Sequence, residues 1–380
     1  MKTLQRFIFE SPPAKFIAIV WAVMLFKSGI GFTNFEVQAV MAEYPFFNPI
    51  VDPAFHYIFW TWLSPFLLWC LNITTEAGAF YFHLFFSIAF TLLFLHTAWR
   101  FLPEHLARLS FLIFAAMPVS NTAYFWVGTD SLTLFLMMAS LALPFSKKSP
   151  LALVILTIGV LLGLQDFEKT IIAASALFAT TYFNRGGGGE WLYSPAFALT
   201  LIFGAFIGKF ILLGVVAYFD ITVNSGRIFW LQNNLPRALT FFFYNFQQSF
   251  YSGLGIAWLV AFYVILKMPY GKIFGAALVA CLAVLLIAVD HTRVFALISF
   301  PLMAQFVLFN REVLGKITPQ MATLFFVAWL ILPFIWILQS PQVSLFSYDI
   351  TLLFHHLLGI DLPIPSEIFT SNFVAWDWLW

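Results

Sequence analysis

The chain has 380 residues, of which 62% are hydrophobic, 20% aromatic and 9% charged, with 50 Phe and a mean hydropathy of +0.92. Soluble domains carry about a quarter charged residues and about 45–50% apolar ones, so no water-soluble globule buries this much apolar surface, and disorder and fibrous repeats are excluded with it. Lys and Arg total 18 against 17 Asp and Glu, which leaves no basic excess for nucleic acid. This is the composition of a polytopic, all-α integral membrane protein in a lipid bilayer. Cys70 and Cys281 both lie in apolar runs, which argues against a disulfide framework or a metal cluster.

A spanning helix needs about 20 mainly apolar residues. In chain order the predicted spans are Ala14–Phe32, Gly78–Trp99, Leu109–Val127, Ser131–Phe145, Leu151–Gln165, Thr170–Phe183, Tyr193–Phe219, Tyr244–Leu266, Ile273–Val289, Val294–Phe309 and Gln320–Leu338, eleven in all. The N-terminal stretch MKTLQRFIFESPPAKF is polar for too long and lacks a small-residue cleavage site, so the first span is an uncleaved anchor. Pro53–Leu71 is apolar too, but charge decides against its crossing, because short cytoplasmic loops concentrate Lys and Arg. Without it, twelve basic residues fall inside and four outside; with it, seven and nine. Pro65 agrees, since proline disfavours a continuous span. The segment is expected to be a Trp-rich helix in the outer interface.

With the N-terminus cytoplasmic, thirteen acidic residues lie outside and four inside. An active outer face explains that bias, and longer outer loops explain part of it. The first outer loop, residues 33–77, holds Glu36, Glu43 and Asp52 near membrane depth, where scarce water tunes a carboxylate towards general-base work. Short outer turns carry Asp130, then Asp166, Glu168 and Lys169, then Asp290, His291 and Arg293. Each acid suits a helix N-cap, yet charges so close to hydrocarbon are costly, usually paired, and functional by default. Arg293 runs against the positive-inside rule and offers a planar fork for phosphate. Lys169 could share that task, and Asp290–Arg293 is equally readable as a local ion pair. Lys27 and Lys209 lie inside predicted spans. Lys27 can snorkel, and Lys209, deeper, suits an anionic lipid head. Asn72-Ile-Thr is an outer sequon, RGGGGE at residues 185–190 reads as a flexible connector, and His355 and His356 fall in a short extracytoplasmic tail, Gln339–Trp380. No HExxH, GxSxG or Cys/His metal spacing and no internal repeat is visible.

In order, this layout resembles the GT-C superfamily of integral membrane glycosyltransferases. The likeness runs from the outer acidic loop NFEVQAVMAEYPFFNPIVD into the apolar DPAFHYIFWTWLSPFLLW and the basic turn WRFLPEHLARL. It continues through ARLSFLIFAAMPVSNTAYFWVGTDSLTLFLMMASLAL, LLGLQDFEKT and VDHTRVFALISFP. The resemblance covers most of residues 1–185 and implies a transmembrane domain over residues 1–338, with no large soluble domain after it. It also implies transfer of a sugar from a polyprenyl-phosphate donor to a glycan, lipid or protein acceptor, with inversion, on the outer face of a bacterial inner membrane. By position the catalytic residues are Glu36, with Asp52 second, and Asp130; Asn34 stands where the family often has an acid. Substrate binding falls to Arg293, Lys169, Asp166, Asp290, His291 and Lys209. Asp130 or Asp166 would orient the acceptor or hold a divalent cation, which no spacing here demands. The other readings are a transporter or flippase using the same charges, and a polysaccharide polymerase or ligase.

Overall fold

The computed structural model describes residues 2–31, 35–143, 151–184, 193–224, 227–288, 290–338 and 340–344. The RGGGGE run, His355, His356 and all of the expected tail beyond Ser344 lie outside the described residues. α1 (Lys2–Glu10) and α2 (Pro13–Ser28) meet at 113°, because neither Pro12 nor Pro13 can donate the next helical hydrogen bond. Arg108 seals the corner. It is buried, paired with Glu104 at 2.6 Å, and donates to the carbonyls of Ile8 and Ser11 at 3.0 and 2.5 Å. α1 keeps Lys2, Arg6 and Glu10 exposed and buries Ile8, so it lies across the end of α2 as an amphipathic helix.

The segment expected to be the first outer loop, residues 33–77, is folded over its described residues. It forms α3 (Glu36–Glu43), a 3₁₀ helix Pro53–Thr61 and α4 (Leu63–Cys70), where the sequence suggests one interfacial helix. α5 (Glu76–Phe101) is the most regular element: Thr75 accepts a hydrogen bond from the Gly78 amide, Glu76 opens it and Arg100 ends it, all favourable with the helix dipole. α6 (Glu104–Ala116) and α7 (Pro118–Phe125) bend by 56° at Met117, which Pro118 holds extended. α8 (Thr129–Ala142), α9 (Leu151–Phe183) and α10 (Pro195–Tyr218) follow.

α11 (Arg227–Tyr244), α12 (Phe246–Leu254), α13 (Trp258–Lys267) and α14 (Gly271–Val284) come next. α11 lies in a segment expected to be an outer loop. α15 (His291–Met303) continues as a π turn, Ala304–Leu308, and leads to α16 (Arg311–Gly315) and α17 (Pro319–Ile331). The last predicted span, to Leu338, is cut short: Leu332 is extended ahead of Pro333, and the chain enters an antiparallel pair, β1 (Phe334–Leu338) and β2 (Ser340–Ser344). The architecture is therefore all-α except for one β-ribbon among the described residues.

Five helices are long and apolar enough to cross a membrane: Glu76–Phe101, Leu151–Phe183, Pro195–Tyr218, Phe246–Lys267 and His291–Leu308. Counting each bent pair as one span makes seven, while Thr129–Ala142, Gly271–Ile287 and Pro319–Ile331 are apolar but shorter. Helix length alone thus supports fewer spans than the eleven expected, because proline and broken turns divide apolar runs that composition reads as continuous.

α9 and α10 pack backbone to backbone. A Cβ at Gly159 would stand 2.9 Å from the Leu201 carbonyl oxygen and 3.1 Å from the Gly204 Cα, while one at Gly163 or Gly208 would drive into the carbonyl of Ala205 or Val160. This is small-xxx-small packing. Gly159 faces Leu201–Gly204 and Gly163 faces Ala205–Gly208, so the two stretches run parallel. If α9 continued straight beyond Asp166, the chain would have to fall about 50 Å before Pro195 over roughly 11 residues, whose extended reach is only about 40 Å. The helix therefore turns at Asp166, whose φ −157°, ψ 77° is its one non-helical residue. Lining up α5, α6 and α15 is an aromatic seam. Phe94 stacks on Phe114 with centroids 3.9 Å apart, and Phe90 meets Phe114 and Phe300 at 5.5 and 5.4 Å.

Gly163→Val should cost about 2–3 kcal/mol by overpacking, read as a lower thermal midpoint of the purified chain in detergent. Gly214→Ala on α10, where a Cβ meets nothing within 4 Å, should instead raise stability by about 0.5–1 kcal/mol, because Ala is the better helix former.

Candidate functional site: a buried cluster of five charges

Three chain segments that the sequence holds far apart converge at one end of the bundle. Asp130 sits in the first turn of α8, where the Gly128 amide donates to the Ser131 hydroxyl at 3.4 Å, and Ser131 receives a hydrogen bond from Ser87 of α5 at 2.9 Å. Asp166 and Lys169 flank the turn of α9. Asp290 stands at the N-cap position of α15, with Arg293 one turn further on. Lys169 pairs with Asp130 at 2.9 Å and with Asp166 at 2.6 Å; Arg293 pairs with Asp130 at 2.6 Å and with Asp290 at 3.0 Å. Asp130 thus bridges both cations. Asp290, in the N-cap place of α15, makes no side-chain capping bond.

Gln165 locks this junction. Its amide oxygen accepts from the Ser64 amide and hydroxyl, each at 3.0 Å, and its amide nitrogen donates to the Thr129 carbonyl at 2.9 Å. One fully buried side chain therefore ties α4, α8 and the turn of α9 together. α4 is pressed into the bundle here, unlike a helix resting on the interface.

Exposure is uneven across the cluster. Side chains of Asp130, Asp166 and Lys169 are at most 5% exposed, whereas Arg293 is 21% exposed and Asp290 is 12%. Arg293 also stands over the Trp126 ring at 5.3 Å, a further stabilisation of its charge, and Tyr57 lies within its electrostatic reach. Burial raises the pKa of Asp290, opposed by the charge of Arg293. Three carboxylates against two cations leave one formal negative charge, set at the margin where Asp290 and Arg293 meet solvent.

Around that margin the structure builds walls. α11 runs past the start of α15, with Phe241 and Phe242 at 5.0 and 5.7 Å from the His291 ring. The 3₁₀ helix Pro53–Thr61 is held to the segment that follows α10 by Trp60 donating to the Asn224 carbonyl (3.2 Å) and by the Asn224 amide donating to His56 (3.1 Å). β1 closes another side, where the Ile337 amide donates to Thr292 at 3.0 Å. His291 is fully buried, with Nδ1 2.6 Å from Ser249 and Nε2 3.1 Å from the Ala288 carbonyl oxygen; it fastens α12 to α15.

The other sequence candidates are placed differently. Glu36 is exposed in the first turn of α3, and Asp52 is exposed just before the 3₁₀ helix. α3 is anchored two residues beyond Glu36, where Gln38 meets His83 of α5 at 2.8 Å. Lys209 is not buried alone in its helix: its Nζ lies 3.7 Å from the Trp60 ring centre and 3.9 Å from Glu168. Lys27 does not snorkel. It is buried and donates to the Leu330 and Leu332 carbonyls at 3.3 and 2.8 Å, capping the end of α17. Among the described residues no group of three His, Cys, Asp or Glu side chains is arranged to hold a metal ion, and Asp130 and Asp166 share Lys169.

Sequence reasoning overlooked Gln165, Trp126 and α11. Gln165 had one signal, an uncharged amide directly before Asp166 in an otherwise apolar run. Comparison with protein-family models, curated proteins and solved structures finds no match.

Removing Lys169 would leave Asp130 and Asp166 buried with too little positive charge, which costs about 3–5 kcal/mol. Lys169→Met should therefore lower the thermal midpoint sharply. The double variant Lys169→Met/Asp166→Asn should recover part of that loss; a loss equal to the sum of the single changes would show that the pair is not coupled.

Proposed function

We propose that the chain is a membrane-embedded glycosyltransferase of GT-C type, transferring a sugar from a polyprenyl-phosphate donor. The observation that carries this reading is the partial exposure of Arg293 at the edge of an otherwise buried charge cluster. A guanidinium oriented by two carboxylates and an indole face is prepared to receive a phosphate. In this scheme the donor phosphate rests on Arg293. The acceptor hydroxyl attacks the anomeric carbon as the bond to the phosphate oxygen breaks, so configuration inverts. The polyprenyl phosphate leaves with its charge stabilised by Arg293, and the hydroxyl proton passes to Glu36, or to Asp52 as second choice. Asp130 is occupied by two cations, so its role here is to position Arg293 and Lys169. Asp166 completes the Lys169 pair, Asp290 orients Arg293, and His291 anchors α15. Lys209 holds the 3₁₀ helix at the margin.

The same reading has the chain crossing eleven times: by α2, α5, the α6–α7 pair, α8, the two halves of α9, α10, the α12–α13 pair, α14, α15 with its π turn, and α17. The N-terminus is then cytoplasmic, in a bacterial inner membrane, with the charge cluster outside. The turn at Asp166 supports this count, because it makes two crossings of one long helix.

Membranes containing the full chain and a labelled polyprenyl-phosphate sugar should yield labelled glycan, lipid or protein. Arg293→Ala should lower transfer about a hundredfold or more, and Glu36→Gln by a comparable factor, with both variants still folded. Full activity in both would overturn the assignment. Movement of the labelled donor across the bilayer without transfer would instead identify a carrier.

A further inference from the structure

At the end of the bundle away from the charge cluster, α6, α13 and α17 leave an open groove of about 400 Å³. Its floor is buried and apolar, built by Leu109, Leu112 and Ala322, and its rim carries the exposed Leu259 and Leu324. The three helices contribute at helical spacing, Leu109 with Leu112 and Met321 with Leu324 and Ala328, so the groove follows the helix axes. One charged residue lines it: Lys316, exposed just ahead of α17. Among the described residues no carboxylate forms an ion pair with it. We propose that this groove holds one acyl chain of an anionic phospholipid of the surrounding bilayer, with the headgroup phosphate on Lys316.

Two features fit that occupant. From Lys316 to Ala328 the groove follows α17 for roughly 18 Å, close to the depth of one leaflet, half of an apolar core about 30 Å thick. A single phospholipid chain fits that depth; a polyprenyl chain would overrun it. Further basic residues share this end. Arg311 donates to the Phe101 carbonyl at 2.5 Å, and Asn310 donates to the Tyr270 hydroxyl at 2.9 Å, which brings the Lys267–Lys272 stretch alongside. Basic residues at a membrane surface attract anionic lipid, and this is the end that the sequence assigns to the cytoplasm. The groove is also remote from Arg293: α17 leads away from Lys316 to β1, which is the strand bonded to Thr292. The proposal therefore stands or falls independently of the transferase reading.

The test uses the purified full chain, delipidated in detergent and offered equal amounts of phosphatidylglycerol and phosphatidylcholine with identical chains, with bound lipid counted by mass spectrometry. Wild type should retain phosphatidylglycerol in preference by about fivefold or more. Lys316→Ala should bring the two lipids to near parity, while Ala328→Phe, which fills the groove, should lower retention of both. Lys272→Ala, at the same end but off the groove, should keep the preference. Each variant is scored only on its monodisperse fraction. Equal retention by wild type, an undiminished preference in Lys316→Ala, or an equal loss in Lys272→Ala would overturn the proposal.

Discussion

Asp130 holds two cations at once, and most of this structure's geometry follows from that. In a low-dielectric interior an unmatched charge costs several kcal/mol, so α8, α9 and α15 can come together only in the register that brings Lys169 and Arg293 to one carboxylate. That register sets where α9 turns, where α15 begins and which face of Trp126 meets Arg293. Gln165 makes the arrangement rigid with neutral hydrogen bonds, fixing α4 and the start of α8 against the same turn. The fold and the candidate site are one object here, because the charges that would act are the charges that align the helices.

Lipid does not push helices together as water does, so close packing has to supply the contact energy. α9 and α10 solve this with glycine at both helices' meeting points, and elsewhere stacked Phe rings fill the seam between α5, α6 and α15. The parallel approach of α9 and α10 also explains the turn at Asp166. Two neighbouring segments that run the same way need a returning segment between them, and the second half of α9 is that segment. The cluster's position beside the turn is thus a consequence of helix packing.

The molecule's two ends differ in how they treat charge. At one end, three acids and two bases pair inside the protein and leave one formal negative charge at the margin where Asp290 and Arg293 are partly exposed, beside α11, the 3₁₀ helix and β1. At the other, Arg108 is spent on bracing the α1–α2 corner, while Lys316 stands exposed at the mouth of an apolar groove. The surroundings differ as well: buried carboxylates beside Arg293 in the first case, and an open apolar groove beside Lys316 in the second.

Sequence by itself determined the all-α membrane class, the approximate limits of most helices, and the short turns at Asp130, Asp166–Lys169 and Asp290–Arg293 as the places where charge is concentrated. Those follow from local chemistry: apolar runs need lipid, and charges interrupting them must sit near their ends. Proline acts on its own neighbours, yet the apolar run Leu109–Val127 reads as one span, and only the structure shows its break at Pro118 and the corner at Pro12–Pro13. Only the tertiary structure decided that the three turns meet, that Asp130 is shared, that His291 is an anchor and Lys27 a helix cap, and that Glu36 and Asp52 stand exposed on separate elements. Pairing between residues more than a hundred positions apart depends on helix order and direction in three dimensions, which no local pattern encodes. The α11 helix was hidden for the opposite reason: it is too polar to read as a span, and its Ala238 and Phe242 become a buried face only when the 3₁₀ helix Pro53–Thr61 and the turn Leu285–Ile287 pack against it.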